Sequence, residues 1–429
     1  MNETNTILTT RKKVAFFDYP DVFEDFYPHY NVSQKDFANS WHNTANHAMV
    51  RIVQERVGDV TWYMLCIRPE FNERVRHSYT GCNVRYLHTS RMHRFLWRTF
   101  YYKLSDHWKR KYYRLYATLA SYLAVFSWPL LRSLFRDRPD VIFCQEYCSG
   151  KFDVLRLLAW ALRIPLITMH AGSTGNFMGT PLRKFTLPRT EWIFPSGDRE
   201  KQFLAKCYQV PHERMSILRP PSDINVYRPM DRNEAAAEWD LPSDGTYFVF
   251  IGRLDDSMKR VSSIIKAFQS LAVEFHNAYL LIAGNGNDES ALRALASVAY
   301  GERIRFLGWI ADDITKKKLL NTADCMVMAS RREGFPTVIG EAMACGTPVL
   351  APDVGTIADL VINDKTGWLF TPLDDDAMLE KMRWVATHAK EIYRLRPSIR
   401  EFAIEHISYA SVTRQLLMGF DHSFKRKRA

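Results

Sequence analysis

No stretch of this 429-residue chain reaches the roughly 18 uninterrupted apolar residues that a membrane-spanning helix needs. The opening residues, Met1 to Thr10, also lack the basic-then-apolar order of a secretory signal. Cysteine is sparse. Of seven, Cys144 and Cys148 lie four apart, but no second Cys or His pair at ligand spacing follows them. That gives no zinc-like pairing, and an odd, scattered set points to free thiols in a reducing compartment. Repeats and low-complexity tracts are absent, and 47% hydrophobic with 24% charged residues is ordinary globular composition rather than disorder. The expectation is a cytosolic protein long enough for two domains, each with its own core.

Strand-like runs alternate with helical stretches along both halves. In the first half they are Lys13 to Tyr19, Thr61 to Ile67, Val141 to Gln145, Leu166 to Ala171 and Trp192 to Ser196. In the second they are Tyr247 to Gly252, Ala278 to Ala283, Ile304 to Gly308, Cys325 to Ala329 and Pro348 to Ala351. This alternation predicts an α/β protein with two doubly wound parallel sheets. Pro220, Pro221 and Pro229 bracket Ser222 and Asp223, so Arg219 to Pro229 reads as the linker. Two such domains facing across a cleft would leave a place for a small ligand.

The net charge of +11 is concentrated. Between Arg91 and Arg138 eleven basic residues meet only Asp106 and Asp137, leaving nine positive charges, with aromatics such as Trp97, Tyr112, Trp128 and Phe135 interleaved. Such a segment fits an anionic membrane surface, drawn by charge and anchored by ring burial. It equally fits domain helices with aromatics in the core and arginines solvated. No nucleic-acid module accompanies the charge, so nucleic acid is not an expected partner. The terminal Lys425–Arg428 run adds to the basic surface.

The run from Ser330 to Ala351 carries the chemistry. It reads as a strand ending near Ala329, a tight loop over Glu333 to Pro336, a helix from Thr337 to Cys345 stopped by Gly346, and another strand. Glu333 then sits at the carboxyl end of a parallel sheet, where open α/β sheets bind ligands. The helix start beside it offers free N–H groups and positive charge, a seat for phosphate. Glu341, eight positions on, lies within reach of a sugar hydroxyl pair.

This block closely resembles the Glu-x-seven-Glu signature of retaining glycosyltransferases with the GT-B fold (glycosyltransferase family four, group 1 type). The resemblance covers Thr246 to Phe370 strongly and Lys13 to Pro229 only in outline. It implies two Rossmann-like domains: residues 1–225, binding the acceptor, and 226–407, binding a nucleotide-sugar donor. It further implies a last helix at 408–424 that returns to the first domain, with Ser408 a plausible cap. In V-F-I-G-R-L-D-D-S-M-K-R-V, Gly252, Arg253 and Lys259 match the family's diphosphate-binding loop, Lys259 being preferred to Arg260 by position. Two cations from one loop can hold a diphosphate and stabilise it as it leaves. By the same resemblance Glu333 addresses the transferred sugar, Glu341 the ribose, and Gly308, Trp309 and Ile310 the base. Gly334, Phe335, Pro336, Thr337 and Val338 shape the turn and present backbone N–H groups.

His170, ending the strand in P-L-I-T-M-H-A-G, matches a family histidine close to the transferred sugar. The catalytic set is thus Glu333, His170, Arg253 and Lys259, with no metal and no cofactor beyond the co-substrate. The family's Gly-Gly loop after the first strand is missing, since the first glycine is Gly58. Its equivalent is sought around Trp41 to His47, where His42 and His47 are five apart and wrongly spaced for a helical metal pair. The Asp374–Asp376 run reads as solvated. The resemblance implies hexose-type transfer to a glycan or lipid-linked acceptor, in cell-surface polysaccharide or glycolipid synthesis, with a possible location on the inner face of the membrane. A GT-B epimerase or phosphorylase, which product analysis would separate, is one alternative. A non-catalytic nucleotide-sugar-binding or membrane-surface scaffold is another, separated by calorimetry with nucleotide diphosphates paired with donor turnover.

Overall fold

The computed structural model of the protein describes residues 11–41, 44–97, 117–170 and 182–428, with backbone alone at 29, 30, 44, 45, 301 and 426–428. Of the features expected above, His42, residues 98–116 of the basic segment and Ala171–Gly172 lie outside the described residues. The chain divides into two compact units, one from the N-terminus to Leu218 plus Thr413 onward, the other Arg219–Val412.

The first unit is built on a seven-stranded sheet of order β3-β4-β2-β1-β5-β6-β7. Its strands are β1 (Lys12–Phe17), β2 (Gly58–Cys66), β3 (Val75–Arg76), β4 (Asn83–His88), β5 (Val141–Gln145), β6 (Leu166–Met169) and β7 (Trp192–Phe194). All pairs are parallel except β3 with β4 at the edge. The second unit has six parallel strands, β8 (Thr246–Ile251), β9 (Ala278–Ala283), β10 (Ile304–Gly308), β11 (Cys325–Val327), β12 (Val349–Pro352) and β13 (Gly367–Phe370). Their order is β10-β9-β8-β11-β12-β13. Both orders reverse direction once, next to β1 and β8 respectively, and the two loops that diverge there open a crevice at the strand ends.

Central strands such as Thr246–Ile251 are apolar without interruption because both of their faces are covered. Phe248 and Phe250 enter the core beneath the helix Val261–Glu274, while Val249 turns to Leu281 and Leu319 on the opposite face. That helix buries Val261, Ile264, Ile265, Phe268 and Leu271, one stripe at helical spacing.

The expected linker is not a free tether. Ser222 donates its N–H to the Ile407 carbonyl at 2.8 Å, and Tyr227 is buried. The Arg400 guanidinium donates to the Ile224 and Tyr227 carbonyls at 2.8 and 2.7 Å. The Tyr227 N–H closes a turn onto the Asp223 carbonyl at 2.8 Å, and one arginine satisfies two carbonyls of this stretch, so the segment packs as part of the second unit. The Asp374–Asp376 run is likewise committed: Asp374 accepts from the Ala377 N–H at 2.9 Å, capping the helix Asp375–Thr387, and Asp375 pairs with Arg260.

Among the described residues of the basic aromatic segment, some rings are buried and others exposed. Trp97 and Tyr122 pack against the first core, and the Tyr122 hydroxyl donates to Asp153 at 2.6 Å. On the helix Trp128–Asp137, Leu130, Ser133 and Leu134 face inward, while Trp128, Arg132, Phe135 and Arg136 are exposed along the opposite side.

The last helix, Tyr409–Arg428, begins behind Ser408, whose hydroxyl accepts from the Ser411 N–H at 3.2 Å. Within the first unit Phe420 meets Phe143 edge-on at 5.8 Å, and His422 lies 5.0 Å from Trp192. Gly419 allows this approach, since a Cβ there would stand 2.4 Å from the Phe194 ring. Phe420→Ala, which empties a fully buried site, should cost about 3–5 kcal/mol, read by calorimetry as a lower unfolding temperature of the first unit.

Candidate active site

At the second unit's switch point the loop after β8 meets the loop after β11. The Arg331 N–H donates to the Met258 carbonyl at 2.8 Å, tying the two loops together. Lys259 closes the short helix Asp256–Lys259, and its Nζ lies 2.5 Å from Glu333 Oε1. Glu333 is only 8% exposed, so the lysine is the counter-charge that a sequestered carboxylate requires. Arg260, beside it, adopts a left-handed backbone (φ 51°) and turns away, donating to both Asp375 oxygens at 2.8 and 2.9 Å. The two adjacent cations are thus separated by geometry: Lys259 faces the glutamate and Arg260 is structural.

Arg253 follows Gly252 at the end of β8 and is exposed, with Asp255 3.9 Å away. Gly334, Phe335, Thr337 and Val338 are half-buried and Pro336 is buried, leading into the helix Thr337–Ala344. No side chain caps that helix, so its first N–H groups stay available to an anion. Gly308 ends β10 with φ +70°, its carbonyl accepting from the Gly284 N–H at 2.8 Å; Trp309 is exposed and Ile310 packs inward.

Glu341 opens the second turn of the helix Thr337–Ala344 and is 5% exposed. Burial pushes its carboxyl above the usual range, and the ammonium of Lys316 pulls against that shift. Lys316 comes from the helix Asp313–Thr322 and lies 3.3 and 3.2 Å from the two Glu341 oxygens. Sequence reasoning missed this residue: in Lys316-Lys317-Lys318 nothing local distinguishes one lysine from the next.

His170 belongs to the first unit, just past β6, and is 3% exposed. Its Nδ1 lies 3.0 Å from Glu200 Oε1 and its Nε2 3.6 Å from Glu146 Oε2. Glu200 also accepts from the Ser196 N–H at 2.8 Å and from the Tyr147 hydroxyl. Both ring nitrogens therefore face carboxylate oxygens, which fixes the ring's orientation. Glu146 had a readable signal, one residue past a recognised strand, whereas Glu200 in the helix Asp198–Tyr208 had none.

Among the described residues one trio, Glu146, Cys148 and His170, brings one possible metal ligand each within 4.8 Å of the others. Burial holds the Cys148 thiol well above its ordinary value, and Glu146 Oε1 already accepts the Cys148 N–H at 2.8 Å. A protonated thiol and an engaged carboxylate make a poor donor set. Around Trp41 to His47 the histidine is not a ligand-facing group. His47 is buried among Phe37, Trp41, Trp62 and His77, with centroids 4.8–5.4 Å away. The polar reach toward the strand ends comes instead from Asn46, which donates to Asp18 at 3.0 Å and accepts from Gln145 at 2.7 Å.

One backbone contact sets where Glu333 stands. Gly355 (φ +57°) runs so close that a Cβ there would be 2.0 Å from the Glu333 carbonyl oxygen. Gly355→Ala should displace the loop and lower kcat/KM by about 10²-fold, while far-ultraviolet circular dichroism stays unchanged.

Residues 231–402 match the family described as glycosyl transferases group 1. The chain is 25% identical over 339 residues to a D-inositol 3-phosphate glycosyltransferase of Mycolicibacterium smegmatis, covering 72% of this chain and 74% of that one. It is 31% identical over 244 residues to a phosphatidyl-myo-inositol mannosyltransferase of Mycobacterium leprae, covering 54% of this chain and 63% of that one. Its fold superposes on Anabaena Alr3699/HepE, solved in complex with UDP, with a TM-score of 0.67 at 14% identity, over 95% of this chain and 99% of that one. Residues 231–402 thus form a glycosyl transferases group 1 domain within a chain of the GT-B fold, with two Rossmann-like units.

Proposed function

We propose that the protein is a retaining glycosyltransferase that moves a hexose-type sugar from a nucleoside diphosphate donor to a hydroxyl of a glycan or lipid-linked acceptor. Its setting would be the synthesis of cell-surface polysaccharide or glycolipid. The observation that carries the reading is the Lys259–Glu333 pair at 2.5 Å in the β8/β11 crevice. A diphosphate entering there would share Lys259 with Glu333 and meet Arg253 and the uncapped helix start. These positive groups suffice to balance it, so the reading requires no metal. The UDP bound by the Anabaena protein supports a nucleoside diphosphate as the donor scaffold.

In this reading Glu341 takes the ribose, the backbone at Gly308–Ile310 the base, and Glu333 the transferred sugar. His170 is given a part in transfer with its orientation fixed by Glu146 and Glu200. As the bond from the anomeric carbon to the leaving phosphate oxygen breaks, the acceptor oxygen bonds to the same face. The acceptor's proton passes to the departing phosphate. Arg253 and Lys259 stabilise the charge that grows on the diphosphate, which lowers the barrier because the charge is greatest in the transition state. Glu333 and Glu341 do not act as the nucleophile and acid of a retaining hydrolase, because Glu341 is engaged with the nucleotide.

A lipid-linked acceptor is favoured by the exposed row of Trp128, Arg132, Phe135 and Arg136, with Trp128 73% exposed. Rings that bury in the headgroup region and arginines worth about 1 kcal/mol each near an anionic surface suit a peripheral membrane contact.

Two results are expected. Lys259→Ala and Glu333→Ala should each lower sugar transfer by about 10²–10³-fold without loss of fold, and wild-type transfer by either would overturn the site assignment. At low salt the protein should cosediment with phosphatidylglycerol vesicles, and a Trp128→Ser/Phe135→Ser double variant should stay in solution; sedimentation equal to the wild type would remove the membrane contact from the proposal.

A further inference from the structure

The assignment of Glu341 to the ribose leaves one charged side chain without a role. Lys316 reaches across from the helix Asp313–Thr322 and sets its ammonium almost symmetrically on the two Glu341 oxygens, at 3.3 and 3.2 Å. The same ammonium lies 3.5 Å from Asp313 Oδ1 and 5.3 Å from the centroid of the Tyr227 ring. The Tyr227 hydroxyl donates to Asp313 at 2.6 Å, so ring, carboxylate and ammonium fix one another. Lys316 is mostly buried, unlike its neighbour Lys318, which pairs with Glu238 nearer the surface.

A carboxylate sequestered as Glu341 is would take up a proton if left alone, and a protonated carboxyl no longer offers two equivalent oxygens to a vicinal diol. An ionised carboxylate has about four lone-pair directions, and one ammonium engages only part of them. Lys316 can therefore stay in place while the 2′ and 3′ hydroxyls donate to what remains. We propose that Lys316 is a positioning residue for the nucleotide: it holds the Glu341 carboxylate ionised and turned to receive the ribose diol. The inference rests on the reading of Glu341 given above.

The groups that face Glu341 are few. From the helix Asp313–Thr322 come Lys316 and Asp313, from the segment before β8 comes Tyr227, and from its own helix end comes Cys345. Burial raises the tyrosine far above its ordinary range and the Cys345 thiol to about 12, so both stay neutral near pH 7. Of these, only Lys316 opposes the carboxylate's charge. Burial raises the carboxyl's pKa above its unfolded value, so its ionised form is lost as pH falls. Without Lys316 that loss moves to higher pH.

The test uses the full chain and the nucleoside diphosphate, among UDP, GDP and ADP, that best protects it from thermal unfolding. Calorimetric titration compares that ligand with its 2′,3′-dideoxy analogue between about pH 6 and about pH 9, so that ionisation of the diphosphate cancels in the affinity ratio. Wild type should prefer the ribonucleotide throughout. In Lys316→Leu and Lys316→Gln the preference should fall as pH falls, by about tenfold per unit below the displaced pKa, and Lys316→Arg should restore it. The glutamine variant keeps a hydrogen-bonding head and serves if the leucine variant does not fold. A wild-type ratio in the glutamine variant at every pH overturns the role of Lys316 and leaves the ribose reading intact. A wild type indifferent to the diol overturns the ribose reading, and the inference with it.

Discussion

A carboxylate withdrawn from water needs a counter-charge, and the second unit meets that need twice with lysines from different elements. Lys259, brought by the loop after β8, neutralises Glu333, while Lys316, brought by the helix Asp313–Thr322, neutralises Glu341. The glutamates belong to one short stretch around the start of the helix Thr337–Ala344, so the pairs tie that stretch to its neighbours. Other features follow from keeping this arrangement in place. Arg260 takes a left-handed backbone and is clamped by Asp375, which leaves Lys259 aimed at the crevice. Gly355 lets the backbone pass against the Glu333 carbonyl without pushing it aside. The ion pairs supply position more than stability, because burying charge consumes much of what their attraction returns.

Apart from its antiparallel edge strand β3, the first unit repeats the strand order of the second with a different chemistry at its strand ends. There an imidazole is flanked by two glutamates, one of which accepts from a tyrosine hydroxyl and a serine N–H. Deeper in, Lys151 donates to the carbonyls of Tyr19 and Pro20 at 3.1 and 2.9 Å, gathering the loop after β1 around a buried ammonium. The hydrogen bonds to Glu200 and from Lys151 hold these carboxylate and loop directions. The six parallel strands of each sheet share one order, and their ends carry different side chains.

Much of this was legible in the sequence. Val141–Gln145 and Ala278–Ala283 were bounded to the residue, because apolar runs between turn residues mark strands covered on both faces, and the half-exposed edge strand Ile304–Gly308 was bounded as well. The edge strand Val75–Arg76 and its neighbour Asn83–His88 escaped notice, one being two residues long and the other half polar; the four-residue edge strand Gly367–Phe370 was too short to stand out. The helix around Glu341 was placed to within one residue, since Pro336 and Gly346 punctuate it. What the sequence did not disclose is pairing at a distance. Lys316 is one of three consecutive lysines, and only packing distinguishes it. Glu200 sits in a helix's first turn, where acidic residues are common for reasons unrelated to histidine. Charge density likewise hid the division of the Arg91–Arg138 segment into buried and exposed rings, a matter of which helix face meets the core.

The helix Tyr409–Arg428 has a consequence for the order in which the protein can be made. Its residues from Thr413 complete a unit whose other members all precede Arg219. During synthesis the surface around Phe143, Trp192 and Phe194 must therefore wait, uncovered, while nearly two hundred intervening residues emerge. At about 5–20 residues per second that interval lasts some tens of seconds, long enough for the second unit to fold first. Of the two units, the one that begins to emerge first is then the last to be finished, and a nascent chain cut short before Phe420 would carry an exposed apolar face that invites chaperones or aggregation.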